Sequence, residues 1–432
     1  MQAVFFAMIV GLVAGLAGSL FRMIIQQMDL IRAQLFTSAG TDGFMGWILP
    51  VLFSVTGVIV AILMVHYFAP EAAGSGVQEI EGALDEVRPL RWKRVLPVKF
   101  IGSLFSLGSG LLLGREGPTI QIGACIGKMI RDIFHLNEDH SNPLISKGAA
   151  AVLTYAFNAP FSGIIFVREE MYGHFKFNFF SAAAIMVASA TADIVVRLIT
   201  GVDPVIRMMV FGQQAINNLW LFVLLGLVFS LLGFAFNKLL ILALNLFDRV
   251  TFAQRILIGV GAGILIALVG IYLPGIIGGG YRTIYDALNA SFTLKVLLLI
   301  FVARFFLTIF SYGTGVPGGI FAPMLALGVV LGMMYGGVMQ YFFPDLVANP
   351  EVFAVAGMAG IFASTVRAPL TGIALAIEMT SNYELILPLL ITTAVASVIT
   401  AQLGNQPIYT TLLKRTLTHI KPLETKAKSP DL

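Results

Sequence analysis

The sequence is short of charge, and this shortage excludes most soluble protein classes. Only 12% of its 432 residues are Asp, Glu, Lys or Arg, against about 25% in soluble domains. Hydrophobic residues make up 58%, and the mean hydropathy is +0.90. We count about twelve apolar stretches long enough to enter a membrane, several of them interrupted by Gly or Pro. The composition predicts an all-α polytopic membrane protein.

Cysteine and histidine are also scarce. Cys125 is the only cysteine, so no disulfide can form within the chain, and a buried, inert thiol is expected. An intramembrane serine protease using Ser75 would need a histidine at membrane depth. His66 lies at the end of a span and the other four histidines lie in loops or the tail, which disfavours this alternative. We predict no catalytic residues, no metal site and no cofactor.

Basic residues do not form a continuous stripe. The net charge is +4, and the positive residues lie near the ends of spans and in the tail, which argues against a nucleic-acid partner. A basic tail predicts a cytoplasmic C-terminus. The first apolar run lacks a preceding basic residue and a small-residue cleavage site, so it is interpreted as a transmembrane helix and not a signal peptide.

One charged motif stands between two apolar segments, in Leu113-Gly114-Arg115-Glu116-Gly117-Pro118. A charge within the hydrocarbon layer costs at least about 2.5 kcal/mol, so an acidic residue there indicates function. The Gly and Pro residues predict irregular backbone, which is tolerated at membrane depth where it lines a cavity or is buried in protein. Glu116 is therefore predicted to be a titratable group beside a solute path. The alternatives are a glutamate favoured by a helix dipole, or a local pair with Arg115.

The chain repeats itself. Residues 159–169 align without gaps on residues 368–378, sharing Ala-Pro-x-Ser/Thr-Gly and a terminal Glu, and Gly148 falls opposite Gly357. A stretch broken by Gly and Pro precedes each copy. Paired broken helices are typical of transporters that bind their solute at the repeat interface. A sodium-coupled transporter of this kind remains an alternative, which sodium-independent flux would exclude.

Gly-rich stretches precede three predicted helix starts, near Ser75, Glu116 and Phe321. Helix N-termini carry partial positive charge and unsatisfied N–H groups, so several aimed at one point make an anion site. Ser75 and Tyr409 can add hydroxyl donors. The alternatives are an ordinary helix N-cap for Ser75, a membrane-interface aromatic for Tyr409, and core packing for the ring of Phe321.

Together these motifs resemble the CLC family of chloride channels and chloride/proton antiporters, particularly its bacterial exchangers. The resemblance covers essentially the whole membrane part and rests on four features. They are Gly74-Ser75-Gly76, Gly114 to Pro118, Gly319-Ile320-Phe321-Ala322-Pro323, and the late Tyr409. It implies that the chain is a chloride-binding transporter and not an enzyme.

The resemblance also implies residue roles. Glu116 matches the gating glutamate that competes with chloride and carries the proton, and Glu170 matches the internal proton-transfer glutamate. Glu169 matches a residue near the inner water entry, although from sequence alone a hydrated helix end explains both Glu169 and Glu170. The expected chloride ligands are the side chains of Ser75 and Tyr409 and the backbone N–H groups of Ile320 and Phe321.

The family fold is two inverted repeats of tilted, partly broken helices. We expect one membrane domain, with repeats at about 1–205 and 206–408 and a short cytoplasmic tail at about 409–432. CBS domains and the N-terminal cytoplasmic helix of some relatives are not expected. The expected partners are chloride, protons and the lipid bilayer. A homodimer with one pathway per subunit, in a bacterial inner membrane, is also expected.

The leading function is exchange of chloride for protons, and a passive chloride channel of the same fold is the alternative. An ionisable residue at position 170 favours exchange, because channels of the family tend to carry an apolar residue there. Ser75 and Tyr409 disfavour a fluoride exporter, and serine at position 75 disfavours the nitrate branch. One departure is Val77-Gln78, where many relatives have Ile-Pro, which leaves the start of the following helix open.

Overall fold

The computed structural model describes residues 2–39, 43–136, 144–151, 159–171, 179–201, 206, 208–289 and 292–427. The described residues are almost entirely helical. In chain order the helices are α1 Gln2–Thr37, α2 Gly43–Tyr67, α3 Val77–Leu84, α4 Trp92–Gly108, α5 Glu116–Ile133, α6 144–151, α7 Pro160–Glu170, α8 Phe179–Thr200, α9 Leu219–Phe247, α10 Phe252–Tyr272, α11 Tyr281–Asn289, α12 Leu294–Gly313, α13 Phe321–Phe342, α14 Glu351–Thr365, α15 Pro369–Thr380, α16 Ile386–Gln402 and α17 Ile408–Ala427.

The predicted class, an all-α polytopic membrane protein, is confirmed. Within the described part of the chain, eight helices are long and apolar enough to cross a membrane. The apolar stretch 352–379 divides into α14 and α15 because Arg367 takes a positive φ of 69° and Pro369 starts the next helix. The first span, α1, reaches Thr37 without an internal proline.

Helix packing repeats between the two halves. Helix α1 packs on α8, as α9 packs on α16, and α4 contacts α5 as α12 contacts α13. A Cβ added to Gly148 would meet the carbonyl oxygen of Gly123, and one added to Gly357 would meet that of Gly328. These equivalent close approaches fit the predicted alignment of Gly148 with Gly357. The repeat boundaries themselves remain a prediction.

The centre of the bundle is α13 with α14. Every residue from Val352 to Thr365 in α14 is buried, as expected of a helix that is apolar on all sides. The residues that were assigned to a short tail form α17, which packs against α3. Because of this contact, the start of α17 lies in the protein interior.

Candidate functional site

Three breaks between helices meet through their backbones. The N–H of Gly74 donates to the carbonyl of Val316 (3.1 Å), and the N–H of Gly318 donates back to Gly74 (3.0 Å). Gly114 and Gly319 exchange two bonds of 2.7 and 2.8 Å. These bonds bring the starts of α3, α5 and α13 together, as the three Gly-rich stretches predicted.

Ser75 and Tyr409 place two hydroxyl groups at this junction. The N-cap of α3 is Gly76, with a φ of 87°, and no side chain caps the helix, so the N-cap interpretation of Ser75 is wrong. Tyr409, at the start of α17, is 0% exposed, so it is not an interface aromatic. The two hydroxyls lie close enough to interact, yet neither oxygen has a hydrogen-bond partner of acceptable geometry. Buried polar groups are rarely left in this way, so the pair fits an anion that would accept from both.

Lys99 fixes the segment that carries Ser75. Its Nζ donates to the carbonyls of Ala72 (3.0 Å) and Gly74 (2.7 Å) and is fully buried. The ammonium group is thus held inside the bundle and does not extend to a membrane surface. The N–H of Ser75 donates to the hydroxyl oxygen of Tyr312 at 3.3 Å, which ties the same segment to α12.

Glu116, the first residue of α5, directs its carboxylate to the start of α13. Its Oε2 accepts from the N–H of Ala322 at 3.3 Å, and its Oε1 accepts from the hydroxyl of Tyr281 at 2.6 Å. The Nε of Arg115 is 3.9 Å from the same Oε1, so the local pair considered from the sequence also exists. A helix N-terminus favours an anion. The fully buried carboxylate therefore sits where a free anion would also be favoured.

Ile320 and Phe321 form the start of α13. Ile320 is the N-cap and Phe321 the first helical residue, and both are fully buried. The ring of Phe321 packs on Phe362, with centroids 4.5 Å apart. The ring is thus core packing, as one interpretation held, while the backbone at this helix start lies beside Glu116.

Arg304 has partners that the sequence did not reveal. Its guanidinium donates to the carbonyls of Ile276 (2.5 Å) and Gly278 (3.2 Å) and to the hydroxyl of Thr283 (2.9 Å). These groups flank the start of α11, whose first residue is Tyr281. A fourth Gly-rich stretch, residues 278–280, was the available signal for this helix start.

Glu170 lies at the end of α7, and its carboxyl group is within hydrogen-bonding contact of that of Glu81 in α3. The residue as a whole is partly exposed, but its Oε1 is buried and neither carboxyl oxygen of Glu81 has a donor. Carboxylates only accept hydrogen bonds, so this contact becomes a bond when one group holds a proton. Glu81 carries no local sequence signal that predicts this contact. No hydrogen bond or ion pair seen among the described residues joins Glu170 to Glu116.

Glu169 and Glu378 cap helices of the opposite repeat. Glu169 accepts from the N–H of Thr371 (2.7 Å), in the first turn of α15. Glu378 accepts from the N–H of Ser162 (2.7 Å), in the first turn of α7. The two bonds are equivalent, because the sequences around them repeat. The interpretation of Glu169 as a hydrated helix end is therefore wrong.

A cavity of about 480 Å³ opens beside the junction. Gly74 and Tyr312, which contact the segment of Ser75, are part of its lining. The charged side chains of the lining are those of Glu71, Glu79, Arg88, Arg91, Asp248, Arg255 and Arg415. Three of the four arginines pair with the three acidic residues, so the cavity gives the junction a polar lining of paired charges on this side. The described residues contain no group of three or more His, Cys, Asp or Glu side chains that could hold a metal ion.

Sequence relatives cover nearly the whole chain. The family described as voltage gated chloride channel matches residues 56–401. The H(+)/Cl(-) exchange transporter ClcA of Vibrio cholerae is 45% identical over 424 residues, covering 97% of this chain and 91% of the relative. The transporter of the same name from Salmonella agona is 42% identical over 417 residues, covering 96% and 88%.

Solved structures share the fold. A structure of a slow cyanobacterial Cl-/H+ antiporter gives a TM-score of 0.94 at 38% identity, covering 97% of this chain and 98% of that one. A eukaryotic CLC transporter gives 0.82 at 22% identity, covering 95% of this chain and 73% of that one, which shows the fold alone. The chain therefore belongs to the voltage gated chloride channel family, the CLC family.

Proposed function

We propose that the protein is a secondary active antiporter that exchanges chloride for protons. The observation that carries this proposal is the position of the Glu116 carboxylate at the N-terminus of α13, where Ala322 donates to it at 3.3 Å. A carboxylate in an anion's place couples two equilibria. Ionised, it fills the site as a tethered anion, and protonated, it loses that attraction and leaves the site to chloride. Protonation and chloride binding are then linked, as exchange requires.

The proposed chloride ligands are the groups that surround the junction. The hydroxyls of Ser75 and Tyr409 are buried donors without partners of acceptable geometry, and the backbone N–H groups of Ile320 and Phe321 begin α13. Neutral donors and helix termini hold an anion less tightly than a buried cation would. A transported ion must also leave, so moderate binding suits the role.

Glu170 is the proposed internal proton relay. Its carboxyl group neighbours that of Glu81, and two adjacent carboxyl groups are expected to share a proton rather than both ionise. This pair is distinct from the contacts of Glu116. The arrangement supports a proton route that separates from the anion path between Glu116 and Glu170.

A passive chloride channel is the alternative, and the ionisable side chain of Glu170 beside that of Glu81 is the observation against it. We propose in addition a homodimer with one pathway per subunit in a bacterial inner membrane, with a cytoplasmic C-terminus. The repeats at about 1–205 and 206–408 belong to the same proposal. The relatives are named as H(+)/Cl(-) exchange transporters, which supports exchange and not an enzymatic reaction.

Flux from purified protein in liposomes tests the proposal. A chloride gradient is imposed across the vesicle membrane without a pH gradient, and the external pH is recorded while a chloride electrode follows the anion. Exchange predicts that protons move uphill, driven by chloride, and that sodium is not needed. Chloride flux with no proton movement would support the channel instead. Matched vesicles without protein give the background leak.

A further inference from the structure

The hydroxyl of Tyr281 forms the shortest contact of the Glu116 carboxylate. Tyr281 Oη donates to Glu116 Oε1 at 2.6 Å, a distance typical of a bond to an ionised acceptor. The bond crosses the two repeats, since Tyr281 begins α11 and Glu116 begins α5. Neither the family motif around Glu116 nor its neighbours in sequence contains this donor.

The side chain of Tyr281 has a cation over one face of its ring and follows a crowded backbone position. The guanidinium of Arg115 lies over it, 4.7 Å from the ring centroid, in a cation–π arrangement. Before it, Gly280 has a φ of 112°, and an added Cβ there would lie 2.7 Å from Ala326 and from the Arg304 guanidinium. Arg304 also binds the carbonyls of the loop that leads into α11. The hydroxyl is thus directed by a rigid, crowded backbone and not by a mobile loop.

We propose that Tyr281 is a positioning residue that holds the ionised Glu116 carboxylate at the start of α13, and thereby sets the pH at which the gate opens. This inference rests on the proposed exchange function. A hydrogen bond donated to a carboxylate stabilises its ionised form relative to the protonated form. The hydrogen bond from Tyr281 therefore opposes protonation of Glu116, and the carboxylate stays at the start of α13 until the pH falls further.

Tyr281→Phe removes this donor and keeps the ring under Arg115. Without the bond, the ionised form loses stabilisation, so protonation occurs at higher pH. The pH at which chloride-driven exchange reaches half its maximal rate should rise by about one unit, the size expected for a bond to a charged group. At a fixed pH on the alkaline side of the profile, turnover should increase up to about tenfold. Coupling to protons should persist, because Glu116 remains.

The matched control is Tyr335→Phe. Tyr335 is a buried tyrosine whose hydroxyl donates to the carbonyl of Leu221 at 2.7 Å, so this change also removes one buried bond. It lies on α13 but does not contact Glu116, and its pH profile should match that of the unmodified protein. In a Glu116→Gln background, Tyr281→Phe should cause no shift, since no ionisable gate remains for it to hold.

Tyr281→Leu is a second variant, which removes hydroxyl and ring together. It should move the pH profile in the same direction, because both variants lose the hydroxyl that stabilises the ionised carboxylate. An unchanged profile in a folded Tyr281→Phe or Tyr281→Leu protein, while the unmodified protein still drives protons uphill, overturns the inference and leaves the exchange function standing. If the unmodified protein and Tyr335→Phe move no protons, the exchange function itself fails. An equal shift in Tyr335→Phe also overturns the specific role of Tyr281.

Discussion

Glu116 is fully buried, and the contacts of its carboxylate explain how an apolar bundle tolerates it. One oxygen accepts from a backbone N–H of α13 and the other from Tyr281, with Arg115 close by. A buried charge with such partners loses less free energy than an isolated one. The same contacts belong to the start of a helix, where an anion is favoured whether or not it is tethered. The stability of the buried carboxylate and its proposed competition with chloride would therefore have a common physical cause.

Glu116→Gln should separate these two roles. The amide keeps the size of the side chain but can neither ionise nor carry a proton. We expect chloride flux to continue while proton movement falls to the background leak, and the pH dependence of chloride flux to disappear. Paired chloride and pH recordings from liposomes check this. Proton pumping that survives the change would contradict the role of Glu116 as gate, and Glu351→Gln at the start of α14 is a control at another helix start.

The residues of the site differ in how readily the sequence identifies them. Ser75, Glu116 and Phe321 could be located because glycines next to a helix start leave a local signal. Tyr281 could not be assigned a partner, since its contact with Glu116 spans 165 positions of the chain. Glu81 was missed for the same reason, because nothing near it in sequence predicts the contact with Glu170.

At the scale of helices, the reciprocal caps explain the terminal glutamate of the repeated segment. Helices α7 and α15 both begin with Pro after Ala, and neither has a capping side chain of its own. The N–H groups of their first turns therefore need acceptors from elsewhere. Glu378 supplies the carboxylate for α7 and Glu169 supplies it for α15. The alignment predicted the repeat, but only the packing of α7 on α15 shows why both copies end in Glu.

Removing either cap should destabilise the protein by a similar amount. We expect Glu378→Ala and Glu169→Ala each to cost about 2 kcal/mol, the upper range for loss of a helix N-cap. Glu378→Gln should cost less, because its amide oxygen still accepts. Thermal unfolding of the purified protein in detergent measures the difference. Glu384→Ala, at an exposed position in the same half, is the control, and equal midpoints for it and Glu378→Ala would refute the capping role.

At the scale of the whole molecule, the site exists only when both halves are in place. Helices α3 and α5 come from the first half of the chain and α11 and α13 from the second, and the backbone bonds between 74 and 316–318 and between 114 and 319 join them. Tyr409 belongs to α17, near the end of the chain. The fold class followed from apolar stretches and the repeat, whereas the meeting of these helix starts depends on tertiary packing. Ligand binding at such a junction should therefore stabilise the entire bundle.

Chloride should raise the thermal stability of the protein. A ligand that binds only the folded state stabilises it by about 2.7 kcal/mol at one hundred times its dissociation constant. Replacing chloride by gluconate, a much larger anion, should lower the unfolding midpoint in detergent. Tyr409→Phe should reduce this dependence because a donor is lost, and Glu116→Gln should strengthen it because the tethered competitor no longer carries charge. If chloride and gluconate give equal midpoints in the unmodified protein and in Glu116→Gln, the junction does not bind chloride.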